Sequence, residues 1–294
     1  VVFSFFLSFT DWDGFAEPIF SGFSNYARIF TELYTRLTGA NLLDIPGEFW
    51  LAFINTWRIW LPNIVLQLVI AMAVAVAFTN TRLKLKGVGF FRGIFYFPNL
   101  VTAASIGVLA MVVLDWQHGA LNQLLFGDDK QAYISWLADP ITAQFIISII
   151  QTWMWFGYTM IILMAGLQGI PITYYEAAQL DGASVLRTFF RITLPLLLPI
   201  LTFVIITSLI GGMQLFDIPY IIISRFKHGS VIDFGTETAK ALSTSVYYMY
   251  NQAFGLTQPS FGYAAAVSYM LFVLIAFFSV LYLRLIRRIS GQET

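Results

Sequence analysis

Tyr174-Tyr175-Glu176-Ala177-Ala178-Gln179-Leu180-Asp181-Gly182, followed ten residues on by Ile192-Thr193-Leu194-Pro195, is a polar stretch enclosed by long apolar runs. A polar hairpin between two membrane spans has no place in hydrocarbon and faces water. Ala177-Ala178 followed by Asp181-Gly182 predicts a short helix of small side chains that stops at Gly182, because glycine takes the left-handed angles that end a helix. Small side chains let a partner surface approach the backbone closely, and Glu176 offers one charge to a basic partner group.

Composition sets the class around that hairpin. The 294 residues are 58% hydrophobic and 11% charged, with mean hydropathy +0.75. Soluble domains carry about 25% charged residues, so this chain cannot clothe a water-facing surface. An all-α, polytopic helical bundle in a lipid bilayer is expected. Net charge is zero, which leaves no basic field for nucleic acid. The absence of cysteine excludes a disulfide, a thiolate nucleophile and a Cys-ligated metal within these residues.

Apolar runs at roughly 53–79, 91–114, 141–169, 195–223 and 262–283 read as five spans. The run Val1–Phe9 reaches only ~13 Å at ~1.5 Å per residue, against the ~20 residues of a full span. It reads as the end of a truncated first helix, making six, and it lacks the charged leader and cleavage site of a signal peptide. Arg82, Lys84, Lys86 and Arg92 lie between spans 2 and 3, and Arg284, Arg287 and Arg288 follow the last span. Acids collect instead in residues 11–52 (Asp11, Asp13, Glu17, Glu32, Asp44, Glu48) and 115–140. Lys and Arg mark cytoplasmic loops, so both termini and the Glu176 hairpin are expected inside.

The spacing Glu176-Ala177-Ala178, then Gly182, then Ile192-x-Leu194-Pro195 resembles the coupling loop of ABC-importer permeases. The resemblance extends over nearly the whole chain. Ser8-Phe9-Thr10-Asp11-Trp12 with Asn25-Tyr26, Asn55-Thr56, Phe91-Arg92 with Phe97-Pro98, Gly119-Ala120-Leu121-Asn122 and Gly262-Tyr263-Ala264-Ala265-Ala266 are similar to the carbohydrate-uptake, maltose-type branch. Tyr247–Tyr250 with Ala253-Phe254 resembles the first of its two permease types. The chain departs from that branch after span 5, where Ser224-Arg225-Phe226-Lys227-His228-Gly229 replaces the usual Thr-Gly-Gly-Gly-Pro turn.

The resemblance implies a type I ABC importer transmembrane fold over residues 1–294, with a coupling loop near 171–195. It implies a multi-pass subunit of the bacterial cytoplasmic membrane. Its partners would be a second permease, two ATPase subunits and a periplasmic or lipid-anchored solute-binding protein. Glu176, Ala177, Ala178, Asp181, Gly182, Ile192, Leu194 and Pro195 would meet the ATPase. No phosphate-gripping G-x-x-x-x-G-K-[ST] loop occurs here, so ATP and Mg would belong to the partner ATPases and no cofactor to this chain. His118 and His228, far apart in outer loops, read as solvated rather than as a metal or catalytic pair.

Polar groups inside spans are costly and usually functional. On span 4, Gln151, Trp155 and Tyr158 share one helical face, with Gln151 ~15 Å and Trp155 ~21 Å from the outer end, too deep for an interfacial aromatic belt. Aromatic faces stack on sugar rings while amides and phenols meet hydroxyls, so this face suits a sugar path. Helix–helix packing by the same face is the alternative, and Trp153 points elsewhere. On span 5, Gln214, Asp217 and Tyr220 recur at spacing three beside Gly211-Gly212 and Pro219, residues that interrupt helices lining transport sites. The resemblance puts sugar contacts on this stretch; Asp217 could equally be solvated near the outer interface. Arg58 snorkels to the outer surface. A neutral oligosaccharide is the expected substrate, with an acidic one allowed by Arg225, Lys227 and His228, and a phosphorylated polyol as a further alternative. An intramembrane enzyme would need acids, histidines or serines clustered at one depth, and a channel a charged ring or filter; the spans hold neither.

Overall fold

The computed structural model describes residues 1–15, 17–38, 49–80, 85–227, 236–255 and 258–289. It is helical apart from a short antiparallel ribbon, β1 (Thr10–Asp11) with β2 (Ile19–Phe20), in the register Thr10↔Phe20 and Asp11↔Ile19. The helices in chain order are α1 (Val2–Leu7), α2 (Ser24–Thr38), α3 (Phe49–Thr79), α4 (Val88–Leu100), α5 (Ala103–Val113), α6 (Ala120–Phe126) and α7 (Pro140–Gln168). There follow α8 (Ile172–Leu180), α9 (Val185–Thr188), α10 (Leu194–Met213), α11 (Asp217–Lys227), α12 (Thr236–Leu242), α13 (Ser245–Tyr250) and α14 (Phe261–Ile289). Asp139 caps α7; the Thr142 N–H and hydroxyl both donate to it, 2.8 and 2.9 Å away, and hold its carboxyl below the usual value.

The apolar runs become spans, most of them within a few residues of their expected limits, with two breaks. Among the described residues, four helical stretches are long and apolar enough to cross a membrane: Phe49–Thr79, Pro140–Gln168, Val185–Ser224 and Phe261–Arg288. The run read as one span over 91–114 is two helices, α4 and α5, bent by 92°. Pro98 sits in the last turn of α4, and Val101 is extended (φ −83°, ψ 138°), so the helical ladder stops although hydropathy does not. With that pair taken as one span there are five. Of the expected truncated first span the structure describes α1, six residues long.

The chain divides into two compact units. The first comprises Val1–Trp60, Ala103–Ile147 and Gly211–Phe278. Its core is aromatic: Phe49, Tyr248 and Tyr263 pack with Ile29, Ala266, Val267 and Met270. Asn55, fully buried, donates to the Lys240 and Ser243 carbonyls (2.8 and 3.3 Å) and accepts from Gln144, which also donates to Ala241 O (2.7 Å). These bonds fasten α12 and the turn after it to α3 and α7.

The second unit comprises Leu61–Thr102, Ser148–Ile210 and Ser279–Thr294. Ala71 and Ala75 of α3 pack on Met160, Leu163, Met164 and Leu167 of α7 and Leu197 of α10. Two buried amides join the same helices: Asn63 donates to Thr152 Oγ1 at 3.2 Å and Gln67 to Thr159 Oγ1 at 2.6 Å. In hydrocarbon an amide without a partner is expensive, so such pairs fix the register of two apolar helices, at ~0.6–2 kcal/mol each.

Candidate functional site

The hairpin that opened the sequence forms α8, and its end is satisfied bond by bond. Gly182 lies at φ +68°, its N–H donates to Gln179 O at 3.0 Å, and the Ala183 N–H donates to Ala178 O at 2.9 Å. That pair is the Schellman closure, which uses orphan carbonyls of the last turn and needs the left-handed residue. Glu176, Ala177 and Asp181 are exposed, while Ala178 is the one buried residue of α8. The helix thus presents its charge outward and rests on a methyl group. Its second attachment is a hydrogen bond at 3.2 Å from Thr193 Oγ1 to the Tyr175 hydroxyl.

The return strand of the hairpin is helical. Ser184 Oγ accepts from the Arg187 N–H at 3.3 Å and starts α9. Phe189–Thr193 then form a π-helical turn that runs straight into α10. Pro195, second in α10 and exposed, has no N–H and a ring that crowds the carbonyl four residues back; the wider π turn before it relieves that crowding. Ile192 and Leu194 are half-buried in this passage.

On α7, Trp155 Nε1 donates to Gln151 Oε1 at 3.1 Å, and the Trp155 and Tyr158 rings meet edge to face, centroids 6.1 Å apart. Trp155 is 42% and Tyr158 37% exposed. The residues that hold α7 to α3, Thr152 and Thr159, each sit one position further along, ~100° around the helix. Within the second unit, packing against α3 therefore uses a neighbouring face and leaves the Gln151–Trp155–Tyr158 patch open. Trp153 is also exposed.

On span 5 the stripe Gln214–Asp217–Tyr220 is not a single helical face. α10 ends at Met213, Gln214–Phe216 break the helix, and Asp217 begins α11. Gly211 and Gly212 accept the last i→i+3 bonds, from the Gln214 and Leu215 N–H groups, and Pro219 falls in the first turn of α11, where a missing N–H is tolerated. Thr244 Oγ1 donates to the Leu215 carbonyl at 2.7 Å and so satisfies part of the interrupted ladder. Gln214 and Asp217 are exposed. Tyr220 stacks on Phe216 (5.0 Å) and meets Tyr250 edge to face (5.3 Å), with Tyr247 at 6.4 Å. Burial, with the phenols of Tyr220 and Tyr250 alongside, pushes Tyr247 above the usual phenol range. Phe216, Tyr247 and Tyr250 were not singled out as site residues, because the aromatic cluster is assembled across a helix break and a loop that share no sequence period.

Arg58 is exposed. His118 stands with its Nδ1 3.7 Å from Asp115 Oδ1. Among the described residues no group of three or more His, Cys, Asp or Glu side chains could hold a metal ion. His228 and the side chains of Arg225 and Lys227, on which the acidic-substrate alternative rests, lie outside the described residues, as do Arg82 and Lys84.

Residues 67–291 match the family described as binding-protein-dependent transport system inner membrane component. The probable ABC transporter permease protein YesP of Bacillus subtilis is 30% identical over 95% of this chain and 81% of its own length. The lactose transport system permease protein LacF of Rhizobium radiobacter is 34% identical over 79% of this chain and 74% of its own. In structure, the chain superimposes on a chain of a bacterial ABC transporter that imports the acidic polysaccharide alginate. That match has a TM-score of 0.64 and 19% identity, covering 90% of each chain.

Proposed function

The chain belongs to the binding-protein-dependent transport system inner membrane components, and we propose that it is one permease subunit of an ATP-driven importer of a sugar or oligosaccharide. The observation that carries this reading is α8 itself, a nine-residue helix with Glu176 exposed and its end closed at Gly182. A short, solvent-facing helix of small residues fits a groove on another protein, and Glu176 suits a basic group there. Two ATPase subunits would supply hydrolysis, a second permease the other half of the pathway, and a soluble binding protein the substrate. When the ATPases close, α8 would move as a lever. The push passes through the Tyr175–Thr193 contact into the unbroken helical run α9–π turn–α10, biasing the spans between inward and outward access.

The charge on each unit supports an inward-facing hairpin. Described side chains of the second unit, which carries α8, include Lys86, Arg92, Arg187, Arg191, Arg284, Arg287 and Arg288 against Glu176 and Asp181. That excess is the cytoplasmic signature.

A neutral di- or oligosaccharide is the substrate class that the open Gln151–Trp155–Tyr158 patch, the broken helix at Gln214 and the lactose permease relative support. The test is reconstitution: the chain is purified with whatever subunits accompany it, placed in proteoliposomes, and supplied with neutral or uronic-acid oligosaccharides. An ATPase should co-purify, and uptake should depend on ATP and favour the neutral sugar. Preference for the uronic acid would reassign the substrate, and the lack of any ATPase partner would refute the reading.

A further inference from the structure

Behind α8 lies an open-mouthed cavity of about 620 Å³, wholly within the second unit. Its base is made by the last turns of two spans, Val76 and Thr79 of α3 and Leu167 of α7. Its walls come from α8, α9 and the π turn, and Leu186 and Val185 at the mouth are 71% and 76% exposed. The volume falls within the ~300–1,000 Å³ of small-ligand sites.

We propose that this cavity binds an uncharged amphiphile, with an apolar body and one or two hydrogen-bonding groups, and that its occupancy sets how firmly the hairpin is held. No charged side chain lines the cavity among the described residues, so neither an anion nor a cation is compensated there. Most of the wall surface is aliphatic and aromatic, with neutral amides and hydroxyls interspersed, which suits an uncharged ligand with a large apolar part. Asn80, Gln168 and the threonines are among the polar groups of the lining, and two groups on α8 can orient a ligand. The Tyr175 hydroxyl accepts from Thr193 and keeps its own proton to donate, and Gln179, exposed on α8, supplies an amide. The depth also fits: the floor is the ends of two spans, at the membrane–water boundary where amphiphiles concentrate.

The mechanical consequence rests on the coupling reading above; the binding site does not. α8 buries only Ala178, so a void beneath it deprives the lever of contacts, and a ligand filling that void would restore them.

A diazirine-bearing long-chain alcohol serves as the probe, photolysed with the assembled transporter in nanodiscs, and its adducts are mapped by peptide mass spectrometry. Saturable labelling within 172–189 is expected, falling about tenfold in Thr188→Trp, where the indole occupies the cavity, while lipid-facing adducts on α14 persist. Gln179→Trp, filling the same space from the opposite wall, guards against misfolding of the first variant and should give the same loss. Labelling that does not saturate, ignores both variants, or is absent because an ATPase subunit covers the cavity would overturn the site. ATP hydrolysis that responds to the alcohol in wild type and not in Thr188→Trp would support the regulatory role, and an indifferent ATPase would overturn it. Failure of the coupling reading itself is read separately, from Glu176→Lys.

Discussion

At Gly157 the second unit has no room for a methyl group, because a Cβ there would run into the carbonyl of Phe95 on α4. Small residues let transmembrane helices meet backbone to backbone, and this is such a meeting. Gly157→Ala should force α4 and α7 apart and cost ~1–3 kcal/mol, seen as a lower thermal midpoint in detergent. An unchanged midpoint would mean that the contact is slack. Two residues back on the same helix, Trp155 makes a different claim. Removing a stacked aromatic or an amide from a sugar site costs ~1–3 kcal/mol, or about 5–150-fold in affinity. Trp155→Ala and Gln214→Ala should therefore weaken uptake while assembly with the ATPase survives. Wild-type transport in both, with normal assembly, would remove them from the path. Trp155 could be singled out in the sequence because its depth argues against an interfacial aromatic belt. Gly157 was not, since nothing in its own neighbourhood announces which carbonyl will approach it.

Among the elements, α8 was the most legible and the third span the least. Ala-Ala-x-x-Asp-Gly specifies a helix, its small face and its terminator within two turns, and the closure at Gly182 follows from local backbone chemistry alone. Glu176→Lys should leave the protein in the membrane but uncouple ATP hydrolysis from uptake. Substrate-stimulated hydrolysis and uptake at wild-type levels in that variant would dismiss Glu176 from coupling. The bend between α4 and α5 escaped because Pro98-Asn99-Leu100-Val101-Thr102 continues an apolar run, and hydropathy carries no information on chain direction. The break at Gln214–Phe216 was half legible: Gly211, Gly212 and Pro219 announced an interruption, but not that Asp217 would restart the helix with a new face.

For the molecule as a whole, composition was enough to establish a helical membrane protein, and loop charge to propose its orientation. With no cysteine in the 294 residues, single introduced cysteines report topology cleanly. A cysteine at Arg287 should react with an impermeant maleimide only from the cytoplasmic side, and one at Asp129 only from outside. Labelling of position 129 from the cytoplasm would invert the orientation and take the coupling role with it.

The π-helical turn at Phe189–Thr193 gives the hairpin a tolerance in counting. A π turn carries one residue more than the α-helical turn it replaces, and it takes that residue up within the turn. Deleting Phe190 would let α9 and α10 merge into one regular helix while the segments on either side keep nearly the same phase. α8 would then face the same direction with one hairpin residue fewer. The motif therefore fixes direction more strictly than length, and the shortened chain should keep its ATPase partner in co-purification, whereas loss of the partner would mean that the wide turn itself is needed.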